Sequence, residues 1–551
     1  MTWVKSDLLF LPVGGSEQIG MNANLYHYQD KWILVDFGIS FPDETDLGID
    51  VLLPDFDFIR SLKEKFLGIF LTHGHEDHIG AIPYFANEIK CPIWGTPFTI
   101  ALLKRKLTES NKNNKIILNS IVVDQEIKLG EFTIKAVQTS HSIPDPVSFL
   151  ISTDEGNIFH SGDWKLEKSY NLNENYDSEI YRSIGDKGIL AMICDSTNSQ
   201  VSGRTPSESF AYQGLYETIN ESRNLVLITC FSSNISRIKS ILDIAKQTDR
   251  SILVIGRALL RAIDAAQEVG YLKDLPEFIN IKDVGLIPRS KMLIIATGSQ
   301  GEPTSALSRI SKGNDKYINI IKGDTVIFSS RQIPGNENAI SKVQSRFIDK
   351  SVNIITDEDK DVHVSGHPSR DELVEMYSYI NPKISIPVHG TRNHIEAHAT
   401  LAIECQIPNV IKPKNGDIIK LNGIKPKIIS QQSFTSNVYD AGEIVSIDNE
   451  RFISRRHTLW NGFVTISIVL NDQGFLVCPP QVTQTGVSDN IDMDIFLMEC
   501  SFIIEDFLEK TKLETYINDE ELTNKIVKLI RKKFKSSFFK RPSFSVHINR
   551  V

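Results

Sequence analysis

The sequence predicts an α/β protein of several domains, in which a metal-binding part is interrupted by a doubly wound insert and then resumed. Three observations predict it. Leu71–Gly80, LTHGHEDHIG, places His73, His75, Asp77 and His78 within six residues. From Ile189 onward, short apolar strands alternate with helical patterns, the signature of a βα-wound sheet. Far downstream, the strand Ile384–Val388 ends in His389-Gly390, like the histidine-bearing strand ends near the N-terminus. At 551 residues the chain is too long for one core. Its 41% hydrophobic and 23% charged residues are those of a soluble globular protein. No window approaches a membrane-spanning apolar run, so no membrane partner is expected. The first residues, MTWVKSDLLFLPVGG, have too short an apolar run for a secretion signal and read as a first strand. The six cysteines, Cys91, Cys194, Cys230, Cys405, Cys478 and Cys500, form no CxxC pair and suggest reduced thiols in a cytoplasmic protein. A net charge of −9, taken alone, argues against a nucleic-acid partner, but bound divalent ions reverse the field locally.

In chain order, residues 7–40 read as hairpin strands turning at Gln29-Asp30. Trp32–Val35 ends in Asp36-Phe37-Gly38, and a carboxylate there can orient a metal-bound histidine. Gly68–Leu71 reads as a buried strand and Ile79–Ala86 as the start of a helix, so the HxHxDH array sits on a strand-to-helix turn. Its imidazoles and carboxylate suit zinc and similar divalent ions. The strand Phe132–Val137 leads into Ser140-His141-Ser142, and the hairpin Val147–Phe159 into Ser161-Gly162-Asp163. Three successive strands thus deliver ligand-type residues to one sheet edge, which is what a two-metal site needs.

The strand Ile189–Asp195 opens the alternating region. Thr205–Glu208 reads as a capping box before a helix over 209–220. The loops Phe231–Asn234, Gly256-Arg257, TGSQGEP and RQIPGNE follow strands and are rich in Ser, Gly, Asn and Arg, which suits phosphate at helix N-termini. Then come Val362–His367, a capping box at Ser369–Glu372, and strand-like segments over 409–450. DNERFISRRHT reads as a charged linker, Gly462–Leu470 with Gly474–Cys478 as a hairpin, and 490–535 as helical. The helix ends in a basic amphipathic stretch, KIVKLIRKKFKSSFFKR, a solvated face that is also a candidate nucleic-acid or subunit contact.

HGHEDH with SHS, HSGD and PVHG resembles the metallo-β-lactamase fold. The insert, with CDSTN, TGSQGEP, SSRQIPGNE and HVSGH, looks like its β-CASP branch, which cuts nucleic acids. The whole set is similar to the bacterial ribonuclease J family. The resemblance implies a metallo-β-lactamase αββα sandwich over 1–207 and 361–450, a doubly wound β-CASP domain over 208–360, a linker over 451–459 and a small C-terminal α/β domain over 460–551. It implies two Zn2+ per subunit, with Mn2+ or Mg2+ as alternative working metals. His73, His75 and His141 would hold one ion, Asp77, His78 and His389 the other, with Asp163 bridging and Asp36 behind them. RNA would meet Ser232, Ser233 and Asn234 and the segment His363, Val364, Ser365, Gly366 and His367. A structural Ca2+ near Gly48, Asp50 and Asp440 occurs in some relatives. Departures are Ser236 where the family often has histidine, SGDW for TGDF, Asp145-Pro146 after His141, and a weakly matching C-terminal domain.

The implied reaction is attack of a metal-activated hydroxide on a phosphodiester. Asp77 belongs to that metal machinery, Asp195 would order the site, and His367 would stabilise the phosphorane or protonate the leaving 3′-oxygen. The expected activity is a 5′→3′ exonuclease preferring 5′-monophosphate RNA, with endonuclease activity, in rRNA processing and mRNA decay. The expected partners are single-stranded RNA, a second copy in a homodimer or homotetramer, and RNA-decay or ribosome-associated proteins. Two rival readings are a hydrolase of small esters, thioesters or lactams on the same fold, and an RNA-binding scaffold without chemistry.

Overall fold

Apolar runs bounded by turn residues become strands whose side chains are covered on both faces. Leu9–Gly14 and Ala23–Tyr28 are buried along their whole length. The computed structural model describes residues 3–42, 48–110, 116–167, 177–333, 335–489, 492–510 and 518–551; Pro334 of the RQIPGNE motif lies outside them. The turn expected at Gln29-Asp30 has both residues at positive φ, 49° and 61°, the two-residue geometry that matches strand twist.

Two sheets face each other in the metal-binding part. One has eight strands in the order Lys427–Gln431, Asp417–Lys420, Leu9–Gly14, Ala23–Tyr28, Lys31–Val35, Phe66–Phe70, Ile93–Gly95 and Leu118–Ser120. The other has seven, Asn409–Val410, Ile384–Val388, Ile189–Asp195, Gly156–His160, Val147–Thr153, Phe132–Gln138 and Glu126–Leu129. Phe10, Ile33 and Phe70 of the first sheet and Phe149, Ile158 and Ile193 of the second share one core. Helix Pro97–Glu109 packs outside the first sheet, and helices Ser178–Gly185, Arg370–Ile380 and Arg392–Glu404 outside the second. This is the expected αββα sandwich, and its return segment adds strands to both sheets.

The insert is a five-stranded parallel sheet in the order Ser251–Ile255, Met292–Ala296, Val226–Thr229, Thr325–Phe328 and Asn353–Ile355. Helices cover both faces, as a doubly wound sheet requires. The helix expected from Ile79 is two short pieces, Glu76–Ile79 and Ile82–Phe85. The capping box expected at Thr205–Glu208 does not form. Ser207 caps the helix Glu208–Glu221, Thr205 donates instead to the His367 carbonyl, and Glu208 is taken by Arg237. The box at Ser369 and Glu372 is present.

Among the described residues the chain divides into two compact units, one running to Ile444 without Gly48, the other made of Gly48 and Val445–Val551. The segment read as a linker is a helix, Glu450–Asn461, capped by Asn449. Its high charge, which suggested a linker, is that of a helix burying only Phe452. The central strand Phe463–Leu470 alternates buried and half-buried residues. It pairs antiparallel with Gln481–Thr485 and parallel with Ser543–Arg550. The main antiparallel partner is therefore 481–485, while Gly474–Cys478 turns back on the strand's end through the Leu470–Leu476 bridge and the Val477 N–H to the Val469 carbonyl at 3.0 Å. Helices Met493–Lys510 and Asp519–Phe538 supply the core, the second burying Leu522, Ile526, Ile530 and Phe534 at helical spacing. Its basic residues lie off that stripe, with Lys533 paired to Glu499.

Candidate metal centre

Four strands deliver the polar residues. Phe66–Phe70 ends just before His73, and the first turn of the following helix carries Asp77 and His78. Phe132–Gln138 precedes His141, Gly156–His160 precedes Asp163, and Ile384–Val388 precedes His389. Asp36 and His389 are non-glycine residues at positive φ, 63° and 52°. Such backbone persists only where its surroundings hold it, and it clusters at functional sites. Gly38 makes the packing feasible, because a Cβ there would lie 1.6 Å from the Asp77 carbonyl oxygen.

These residues form two ligand sets that share Asp163. In each of the sets His73, His75, His141, Asp163 and Asp77, His78, Asp163, His389, one ligand atom per residue lies within 4.8 Å of the others. A third overlapping set joins Asp163, Asp195, His367 and His389. Asp163 Oδ2 is 3.7 Å from His73 Nε2, 3.7 Å from His141 Nε2 and 3.3 Å from His78 Nε2, while its Oδ1 is 2.9 Å from His389 Nδ1. Asp36 accepts from the Thr72 backbone at 2.8 Å and lies 2.7 Å from His78 Nδ1, so it fixes that ring from behind.

The electrostatics divide the cluster. Burial, reinforced by neighbouring imidazoles, pushes His73 and His141 well below the usual histidine range, and burial takes His75 down to about 4. Burial thus favours the neutral form of all three, the form a metal ligand must take. In the other half burial also opposes charge, but Asp163 and Asp77 outweigh it and hold His78 and His389 well above the ordinary value. Asp163 and Asp77 are depressed in return, against the effect of burial, by the same histidines.

The donors fit a divalent ion. His75 Nδ1 faces His73 Nε2 at 2.9 Å and His141 Nε2 at 3.1 Å, three ring nitrogens aimed at one place. Among the described residues, buried His389 Nε2 makes no well-aligned hydrogen bond and lies 3.2 Å from Asp77 Oδ2, another candidate ligand. Nitrogen and carboxylate oxygen in this number are the ligand set of zinc and its neighbours.

His363–His367 runs along the edge of this cluster. His141 Nδ1 donates to the Gly366 carbonyl at 2.7 Å, and a Cβ on Gly366 would stand 2.6 Å from the His141 ring. His367 Nδ1 meets Asp195 Oδ2 at 2.7 Å. Burial lowers His367, but Asp195 and Asp163 outweigh it and raise it overall. Beside the segment opens a cavity of about 550 Å3, lined in part by Asn198, Thr205, Arg331, His363, Val364 and Ser365. Ser232 and Ser233 are half-buried and do not line it. Asn234 is buried and accepts from the Arg237 backbone as a helix cap. Asp50 lies two residues before Leu52, which pairs with Val438, and Asp440 ends the partner strand Asn437–Asp440. Among the described residues, none of Asp50, Asp440 and Gly48 belongs to any histidine, cysteine and carboxylate cluster of three or more.

Sequence reasoning missed Asn22, whose Nδ2 lies 3.1 Å from His78 Nε2, and Asn198, which donates to Ser365 Oγ at 2.8 Å and to the His367 carbonyl at 3.1 Å. Asn198 lies within the CDSTN motif, three residues past Asp195. Asn22 had no local signal, since only the fold brings it to His78. Arg237 reads in sequence as an ordinary helix cation.

Comparison with known proteins agrees with this geometry. The family described as "Ribonuclease J, beta-CASP domain" matches residues 223–347, "Beta-lactamase superfamily domain" matches 31–176, and "Zn-dependent metallo-hydrolase RNA specificity domain" matches 358–411. The chain is 36% identical to ribonuclease J of Sinorhizobium meliloti over 88% of this chain and 86% of that one. It is 33% identical to ribonuclease J of Synechocystis over 96% and 85%, and 34% identical to ribonuclease J2 of Bacillus subtilis over 86% of each. A crystal structure of a protein of unknown function from Enterococcus faecalis V583 superposes with a TM-score of 0.53 at 17% identity, covering 75% of this chain and 100% of that chain, a likeness of fold alone.

Proposed function

The chain belongs to the ribonuclease J family and is a metal-dependent ribonuclease, and on that premise we propose that it degrades single-stranded RNA from a 5′-monophosphate end and also cuts internally. His73, His75 and His141 would hold one Zn2+ and Asp77, His78 and His389 a second, with Asp163 within reach of both sets. Mn2+ or Mg2+ can stand in for zinc as the working metal. Two such ions supply a water of lowered pKa and neutralise charge on the phosphate. Asp36 keeps His78 turned toward its set. Asp195 accepts from His367 Nδ1, which leaves Nε2 for the substrate, and His367 passes a proton to the leaving 3′-oxygen.

The observation that carries this reading is the position of the segment 363–367. Its carbonyl at Gly366 binds a ligand-set histidine, its His367 meets Asp195, and its first three residues line the cavity. RNA held along His363–Ser365 lies beside both ligand sets, with Ser232 and Ser233 extending the phosphate track. An ester hydrolase would need neither the insert nor this segment, and a silent scaffold would need no complete ligand sets.

We place the working protein in the cytoplasm as a homodimer or homotetramer, in contact with RNA-decay or ribosome-associated proteins. Its free cysteines support the reducing compartment. Among the described residues no helix is long and apolar enough to cross a membrane. End-labelled RNAs bearing 5′-monophosphate, triphosphate or hydroxyl test the activity. Mononucleotides from the monophosphate RNA alone are expected, and equal release from all three would reject the 5′-end preference.

A further inference from the structure

Arg237 is wholly buried, a costly place for a cation unless each of its donors is used. Its Nε and Nη2 donate to the two oxygens of Glu208 at 2.5 and 3.0 Å. Its Nη1 donates to the Val362 carbonyl at 3.0 Å and to Ser329 Oγ, and lies 3.3 Å from His363 Nδ1. Ser329 Oγ donates in turn to the Val362 carbonyl at 2.7 Å. One guanidinium therefore ties together the start of helix Glu208–Glu221, the loop after strand Thr325–Phe328, and the entry to the segment 362–367. The tie continues toward the metal-binding strands. Glu167 accepts from the Glu208 backbone at 3.1 Å and pairs with buried Lys165 at 2.7 Å, two residues past Asp163. The far end of the segment is held separately, by Asn198 and Thr205 on the His367 carbonyl.

An apolar side chain could fill the same space with less desolvation, so stability alone does not call for arginine here. What arginine offers is a rigid fork of directed donors. We propose that Arg237, braced by Glu208, is a positioning residue that holds the insert's end of the segment 362–367, so that His363 faces the RNA cavity and His367 stays against Asp195. The inference rests on the reading that this segment meets RNA.

The test uses the full-length, metal-loaded protein. Arg237→Lys keeps the charge and loses the fork; Glu208→Leu/Arg237→Met removes both charges together and leaves neither buried alone. Both variants are expected to lose about 10²-fold in kcat on 5′-monophosphate RNA, the scale of a misplaced catalytic group, with KM little changed. Metal content per chain and the melting midpoint of the double variant are expected to match the wild type. Wild-type kcat in either variant, while His367→Ala is inactive, overturns the inference and leaves the functional reading intact. Loss of metal or of the melting transition in the double variant also overturns it, because the role would then be structural. Wild-type cleavage by His367→Ala removes the functional reading itself, and this inference with it.

Discussion

Asp163 is the residue on which the charge balance turns. It lies among His73, His78, His141, His367 and His389, and burial that should protonate it is outweighed by His389 and His78. Its neighbours His73, His75, Asp77 and His78 were legible in the sequence because one turn carries them all. His141 and His389 were legible only through their common place after a strand. Gly366 shows what residue reading cannot supply. Its motif marks it, but the reason it must be glycine is the His141 ring that a Cβ would meet at 2.6 Å. Gly366→Ala is therefore expected to fold and bind metal yet lose about 10²-fold in kcat, as the segment carrying His367 is pushed away from the His141 ring. Steady-state kinetics with metal analysis checks this, and unchanged kcat would show that the ring has room to move.

At the scale of elements, strands were easier to place than caps and connections. Apolar runs such as Leu9–Gly14 and Met292–Ala296 have one reading, because only a two-sided core covers them. Thr205–Glu208 had two. The pattern fits a capping box, yet Thr205 and Glu208 find stronger partners in the return segment and in Arg237, and Ser207 caps instead. Glu372 satisfies its own box and more, accepting from the Leu166 backbone at 2.9 Å and the Thr205 backbone at 2.8 Å while buried. Ser369→Ala should cost about 1 kcal/mol, an ordinary cap. Glu372→Ala should cost about 3 kcal/mol or more, since several buried N–H groups lose their acceptor. Urea midpoints at fixed metal concentration distinguish the two, and equal losses would mean that Glu372 acts only as a cap. The charged helix Glu450–Asn461 was misread as a linker because composition does not report a helix that buries one side chain.

For the molecule as a whole, the doubly wound insert followed from βα alternation and the αββα sandwich from the family resemblance, whereas the C-terminal hairpin register did not, since only pairing with Phe463–Leu470 selects Gln481–Thr485. Buried neutral histidines also give the whole fold a pH dependence. Burial takes both His160 and His398 down to about 4, His160 bonded to Tyr26 and His398 held between Ser196 and Tyr377. Unfolded, each titrates near the ordinary value of about 6.5, so between these values the unfolded chain binds more protons and stability falls as pH drops. Each contributes about 3 kcal/mol at pH 7 that is lost by pH 4. Urea unfolding of His398→Gln should show a shallower decline from pH 6.5 to 4.5 than the wild type, and parallel declines would contradict the assignment. The central claim, that two metal sets share one carboxylate beside the RNA path, is tested most directly by Asp163→Ala. Purified protein should keep its fold, lose bound metal and fail to hydrolyse 5′-monophosphate RNA. Hydrolysis at the wild-type rate with full metal content would contradict the account.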